Sequence, residues 1–381
     1  MTDDRALTAI ISAANLPGAV ALISDRDGTR YARSFGQANA LTGAAMAVDT
    51  VCQWASMTKA ITSVAALQLV AAGKLDLDAP AARWLPELDD VQVLAGYAAD
   101  GSARLRPPAR AITLRQLLTH SAGFGYPFVQ GEMARWAMLN PALPGSRASI
   151  RLPLLFDPGA DWAYGVATDW VGLLVEVASG TTLGSYLARH IFATLGMTTT
   201  AFRAAHQMPA TAAAVHARLP VGGFLPVPIH IGGGEFDGGG GGLSGTAEDY
   251  ARFLRMVLNA GRAADGSEVL PPAMAALLVT NQVGPLRAGR MPSAMADLAS
   301  PFDLFPDQHC GWSLAGLINP QPGPHGRSAG SLAWAGIFNS YYWADPAKGL
   351  AGVFLTQLVP FADPGAVAAF AAFERFAYGH D

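Results

Sequence analysis

The sequence predicts an α+β fold: an α/β sandwich whose single antiparallel sheet draws strands from both ends of the chain, with a mostly helical region inserted between them. Two observations carry this. Residues 18–24 and 30–36 read as strands near the N-terminus, and residues 311–317, 329–336, 339–344 and 350–356 read as strands near the C-terminus. Between them lie apolar stretches closed by glycines, the pattern of helices. The implied division is a discontinuous α/β domain, residues 1–75 and 245–381, and an inserted helical domain, residues 76–244, with a cleft at their interface.

Each element has a local reason. Residues 4–15 form a short helix. Gly18-Ala19-Val20-Ala21-Leu22-Ile23-Ser24 is a buried strand, and Asp25-Arg26-Asp27-Gly28 turns it into the next. Ser56 to Ala72 is rich in Ala, Leu and Val and lacks Gly and Pro, and Gly73 then closes a long, mostly buried helix. Residues 76–110 are connections punctuated by Pro and Asp. Thr113 caps a short helix over 113–119. Residues 121–165 are loop-rich, with Gly, Pro and aromatics. Helices follow over 168–179, ended by Gly180, and over 182–195. After a glycine-rich run at 232–242, Thr246-Ala247-Glu248-Asp249 opens a helix to about Asn259. Asp345-Pro346-Ala347-Lys348-Gly349 joins the last two strands, and Asp363 to Tyr378 is a terminal helix.

Composition bounds the function. A chain of 381 residues, 51% hydrophobic and 14% charged, can bury a large core. A net charge of −4 with no Lys/Arg cluster argues against nucleic acid. Two cysteines, Cys52 and Cys310, make no disulfide framework, and Cys52 reads as a small buried residue. The start, Met1-Thr2-Asp3-Asp4-Arg5, places acids before the first base and is a poor secretory signal. No apolar run approaches the roughly 18 residues of a membrane span. A cytoplasmic protein without a membrane partner is expected. The eight histidines show no H-E-x-x-H spacing, so neither metal nor cofactor is expected.

Three segments could carry chemistry. Ser56-Met57-Thr58-Lys59 is an S-x-x-K at the start of a buried helix, where positions i and i+3 share a face. An amine there reaches the serine hydroxyl, and the helix N-terminus favours an oxyanion. If burial among Trp54, Ala60 and Ile61 lowers its proton affinity, Lys59 can activate the serine. Taken alone, the same residues read equally as an N-cap and a surface lysine. Tyr164 follows the turn Asp157-Pro158-Gly159 and an aromatic cluster; a tyrosine sharing a proton with a lysine is a competent general base, and a core tyrosine is the alternative. Ser331-Leu332-Ala333-Trp334-Ala335-Gly336-Ile337 is a strand in which Gly336 permits close approach, or simply a packed strand.

The order and spacing of these segments resemble the serine β-lactamase and penicillin-binding protein superfamily, with its S-x-x-K, tyrosine and K-T-G motifs. Ile112 to Gly123, Leu195-Gly196-Met197 and Gly239 to Ser244 match further pieces. The resemblance runs from about residue 15 to the C-terminus and is nearest to class C β-lactamases and, above all, family VIII carboxylesterases. It implies a β-lactamase/transpeptidase-like fold and an acyl-enzyme on Ser56. Lys59 and Tyr164 would handle protons, and the backbone N–H groups of Ser56 and Ile337 would form the oxyanion hole.

Two departures narrow the substrate. The K-T-G lysine is Trp334 here, followed by Ala335 and Gly336, so the cation and hydroxyl that hold a β-lactam carboxylate are missing. The asparagine of Y-x-N is Val166. Both fit a neutral, fairly apolar small-molecule ester of short to medium chain, with hydrolysis expected and acyl transfer, lactamase, peptidase or amidase chemistry as alternatives; intact Ser56, Lys59 and Tyr164 argue against a non-catalytic binding or sensor module. Phe124, Tyr126, Phe128, Met133 and Trp136 are candidates for an apolar acyl or alcohol pocket, and equally for core. Gly326-Arg327-Ser328-Ala329-Gly330 matches G-x-S-x-G, but a strand follows it and the only later histidine is His380. His120 reads as a structural hydrogen-bonding residue. The glycine-rich run lacks a P-loop ending and reads as close packing near the cleft.

Overall fold

The computed structural model describes residues 4–219 and 222–379; Met1–Asp3 and His380 of the readings above lie outside them. The central sheet has eight strands: β1 (Gly18–Asp25), β2 (Thr29–Asn39), β3 (Ala44–Ala45), β4 (Gly311–Trp312), β5 (Leu317–Ile318), β6 (Leu332–Gly336), β7 (Ser340–Asp345) and β8 (Leu350–Thr356). Their spatial order is β4-β5-β6-β7-β8-β1-β2-β3, antiparallel throughout. Strand β1 joins the two ends of the chain: Ala19 faces Thr356 of β8 on one side and Phe35 of β2 on the other. The sheet is therefore the expected one.

Both faces are covered. Side chains alternate along β7, so neighbouring residues point to opposite faces. Tyr342 packs on Tyr250 of a helix over Ala247–Leu258, ring centroids 5.0 Å apart. Trp343 packs on Phe373 of the terminal helix Pro364–Ala377, at 5.3 Å. The first helix, α1 (Arg5–Ala13), lies beside that terminal helix. The burial pattern of β7 and β8, nearly continuous rather than alternating, follows from this double cover.

The S-x-x-K segment enters through a 3₁₀ turn, Ala55–Met57, that runs straight into α2 (Thr58–Ala71). Helix α2 is buried on nearly all sides and packs against α5 (Ala167–Ser179). Between them in sequence lie α3 (Leu114–Leu118) and α4 (Gly131–Leu139). Thr113 caps α3 as expected, in a reciprocal box with Gln116.

Three readings need correction. Residues 76–110 hold a hairpin, Val93–Tyr97 with Ala103–Arg106. The loop-rich 121–165 holds α4. The single strand expected over 311–317 is two short strands around a tight turn, where Ser313 Oγ accepts from the N–H groups of Ala315 and Gly316. Among the described residues, no single helix is long and apolar enough to cross a membrane.

Candidate active site

Ser56 stands on a strained turn. Ala55 before it has φ 47°, a left-handed conformation that costs a residue with a Cβ about 1–3 kcal/mol. Packing holds it there. Trp54 N–H donates to Leu243 O, the Trp54 ring packs on Tyr250 at 5.0 Å, and Tyr250 Oη donates to Met57 O at 3.0 Å. Strand β6 presses on the same turn: a Cβ on Gly336 would sit 2.4 Å from Trp54 O. This close approach brings Ile337 against Ala55. Ile337 N–H makes no backbone hydrogen bond among the described residues, and Ser56 N–H belongs to the first turn, whose donors lack intrahelical partners. The side chain of Ser56 caps nothing, so the N-cap reading falls away.

Lys59 is 2% exposed, which excludes a surface role. Its Nζ donates to Ser56 Oγ at 3.2 Å, Tyr126 Oη at 3.2 Å and Gly240 O at 2.6 Å. Three acceptors match the three donors of an ammonium. Burial pushes Lys59 toward losing its proton, but Tyr126, Tyr164 and Asp169 outweigh burial and hold it above the ordinary lysine range. The desolvation expected of Lys59 is present, and the oxygens around it act against it. Its charge in turn helps burial keep His120 neutral.

Tyr164 is 3% exposed, with Lys59 Nζ 4.8 Å from its ring centroid. A Cβ on Gly165 would meet Phe124 O at 2.2 Å, so only glycine lets the tyrosine segment lie against Phe124. Trp334 Nε1–H donates to Tyr164 Oη at 2.9 Å. The residue in the K-T-G lysine position thus gives its one polar hydrogen to the tyrosine. Tyr164 makes no direct hydrogen bond to Ser56, though both line one cleft.

That cleft opens to solvent, holds about 270 Å³ counted with its open mouth, and is lined by Ser56, Phe128, Tyr164, Met291, Trp334, Ala335, Gly336, Ile337 and Phe361. Of the expected pocket residues, Tyr126 reaches the site through its hydroxyl. Phe124 does not line the cleft: it is in the core, stacked on Trp170 at 6.1 Å. Met133 is also core. Met291 and Phe361 were not anticipated, and they come from irregular segments with no periodic signal.

Other candidates resolve as well. Arg327 is fully buried against Glu374, with contacts of 3.0 and 2.7 Å, and Arg287 pairs with Asp303 at 2.7 Å. Neither cation is in the cleft. Ser328 sits in a turn, its N–H bound by Asp345. His120 takes a left-handed backbone, φ 57°, and its carbonyl accepts from Ala163 N–H. Its ring Nδ1 has no partner among the described residues, so the backbone rather than the ring does the hydrogen bonding expected of it. Cys52 is buried, and burial pushes its thiol up to about 12.

Known proteins resemble this chain in sequence and fold. A family model described as Beta-lactamase matches residues 4–375. The lovastatin esterase of Penicillium rubens is 33% identical over 373 residues, covering 93% of this chain and 92% of its own. The monacolin J acid methylbutanoyltransferase of Aspergillus terreus is 33% identical over 386 residues, covering 95% and 91%. Unliganded simvastatin synthase from Aspergillus terreus superposes with a TM-score of 0.82 at 29% identity, covering 99% of this chain and 97% of that one. A family match of that length, on a chain folded this way, makes this protein a member of the Beta-lactamase family.

Proposed function

We propose that this protein is a serine carboxylesterase that hydrolyses neutral, short-to-medium-chain carboxylic esters through an acyl-enzyme on Ser56. The observation that carries the reading is the cleft: apolar walls meet Ser56, and the cation beside it, Lys59, already has three acceptors. An ester without charge fits such walls. A carboxylate would enter unpaired, at a cost of several kcal/mol.

The steps follow from the roles each group can fill. Ser56 Oγ attacks the ester carbonyl and its proton passes to Tyr164, which acts as the tyrosinate, its oxygen held by the Trp334 N–H. The N–H groups of Ser56 and Ile337 receive the developing oxyanion at the helix N-terminus. Collapse expels the alcohol, which takes the proton from Tyr164 and leaves it a tyrosinate again. Tyr164 then takes a proton from a water as the water attacks the acyl-enzyme; the acyl–Oγ bond breaks, Ser56 Oγ takes that proton from Tyr164, and the acid leaves. Lys59 remains an ammonium throughout, and its charge favours both the serine and tyrosine oxygens as anions. On this reading the cleft lies between the discontinuous unit, 1–75 with 245–381, and the inserted unit, 76–244.

A second reading has a specific basis. The methylbutanoyltransferase relative is as similar as the esterase one. An alcohol could take the place of the deacylating water with the same groups in the same roles. The test is intact-mass detection of an acyl adduct on incubation with p-nitrophenyl butyrate, followed by product analysis with and without added alcohol. The adduct should map to Ser56 and vanish in Ser56→Ala. An adduct on Ser328, or full activity in Ser56→Ala, would refute the assignment.

A further inference from the structure

The glycine-rich run is moored to both helices that frame the site. Thr62 Oγ1 of α2 donates to Gly239 O at 2.9 Å, and Leu243 N–H donates to Thr58 Oγ1 at 3.1 Å. From α5, Asp169 Oδ1 accepts from Gly240 N–H at 2.9 Å. Gly240 is therefore held at both ends, its N–H by Asp169 and its carbonyl by Lys59 Nζ at 2.6 Å. The fit leaves no slack: a Cβ on Gly240 would lie 2.6 Å from Asp169 Oδ2, and one on Gly239 would lie 2.8 Å from Thr168 O.

We infer that Asp169 is a positioning residue that fixes the charge state of Lys59, through its negative charge and through the Gly240 carbonyl it holds in place. The inference rests on the proposed roles of Lys59 and Tyr164. Lys59 has no carboxylate within 4.0 Å among the described residues, so a carboxylate acting on it does so across this one glycine. The groups facing Lys59 are Ser56 on its own helix segment, Tyr126 from the loop before α4, Tyr164 and Asp169 from α5 and its approach, and His120 from the turn after α3. His120 is held neutral, and Tyr126 is held protonated by burial, against the pull of Lys59. Asp169 is the carboxylate among the groups acting on Lys59; burial pushes its own carboxyl above the usual range, and Lys59 with the Gly240 N–H works against that rise. Direct pairing would block the amine. Action through a backbone residue leaves one ammonium hydrogen for Ser56 and one for Tyr126.

Asp169→Asn removes the charge and retains an oxygen for the Gly240 N–H. Without the anion, Lys59 holds its proton less tightly, so the limb of the pH–kcat/KM profile that Lys59 governs moves to lower pH, by about one unit. Asp169→Ala removes the hydrogen bond too and should add a fall in kcat with KM within about twofold. Both are read with p-nitrophenyl butyrate, beside thermal unfolding to show a native fold. Gly240→Ala strains the same contact from the other side and should lower kcat even if Asp169→Asn does not fold. Ser56→Ala run in parallel separates the two claims. If it stays active, the functional reading fails. If it is inactive while Asp169→Asn and Gly240→Ala keep the wild-type kcat and profile, the inference about Asp169 is overturned.

Discussion

Replacing Trp334 with phenylalanine removes one N–H and leaves an aromatic ring on β6. That N–H is the donor to Tyr164 Oη at 2.9 Å. The bond is modest while the tyrosine is neutral, about 1 kcal/mol, and stronger when the oxygen carries charge, about 1.5–3 kcal/mol. If Tyr164 takes the serine proton as an anion, the loss falls on the catalytically ready form. The neutral form loses its own bond of about 1 kcal/mol as well, so the net loss is about 0.5–2 kcal/mol, a fall in kcat/KM of roughly 2- to 30-fold. The assay is p-nitrophenyl butyrate hydrolysis at neutral pH, with thermal unfolding as a check on folding. A folded Trp334→Phe protein with unchanged kcat/KM refutes a role for the indole N–H. Trp334 would then be wall only.

Other outcomes follow from the same geometry. Lys59→Ala and Tyr164→Phe should each lower kcat/KM by at least about 10²-fold, and the double variant by far less than the product, because the groups act as one unit; multiplicative losses would count against a shared proton network. Glu374→Ala should lower unfolding stability by about 3–5 kcal/mol in urea, because it strands the buried Arg327 charge. Since that pair lies outside the cleft, kcat/KM of the folded enzyme should stay within about twofold, and a larger loss would mean the terminal helix reaches the site.

The sheet was legible because its strands carry their own signals: the apolar run 18–24, the Asp-Gly turn after it, and closely spaced strands near the C-terminus. The hairpin over 93–106 escaped because its strands carry Ala95, Gly96 and charged residues and bulge between Leu94 and Tyr97. Helix α4 escaped because it opens on Gly131 with no side-chain cap. At the site, Ser56, Lys59 and Tyr164 could be found from local motifs and their order. The charge state of Lys59 could not. It depends on Tyr126, 67 residues away, and on a glycine carbonyl 181 residues away, neither of which marks itself in sequence. Trp334 was legible as the loss of the K-T-G cation, but that its indole hydrogen goes to Tyr164 Oη was not.

The central claim is a Ser56 enzyme built for uncharged esters, and the most direct measurement is kcat/KM for p-nitrophenyl butyrate against nitrocefin and benzylpenicillin on one preparation. Among the described residues no Lys or Arg lines the cleft; Lys59 beside it has its three acceptors, Arg327 is bound to Glu374, and Arg287 to Asp303. If about 4 kcal/mol of transition-state binding is thereby missing for a carboxylate, the neutral ester should be favoured by roughly 10³-fold or more. Trp334→Lys should narrow that ratio. Comparable wild-type efficiency on all three substrates would contradict the account.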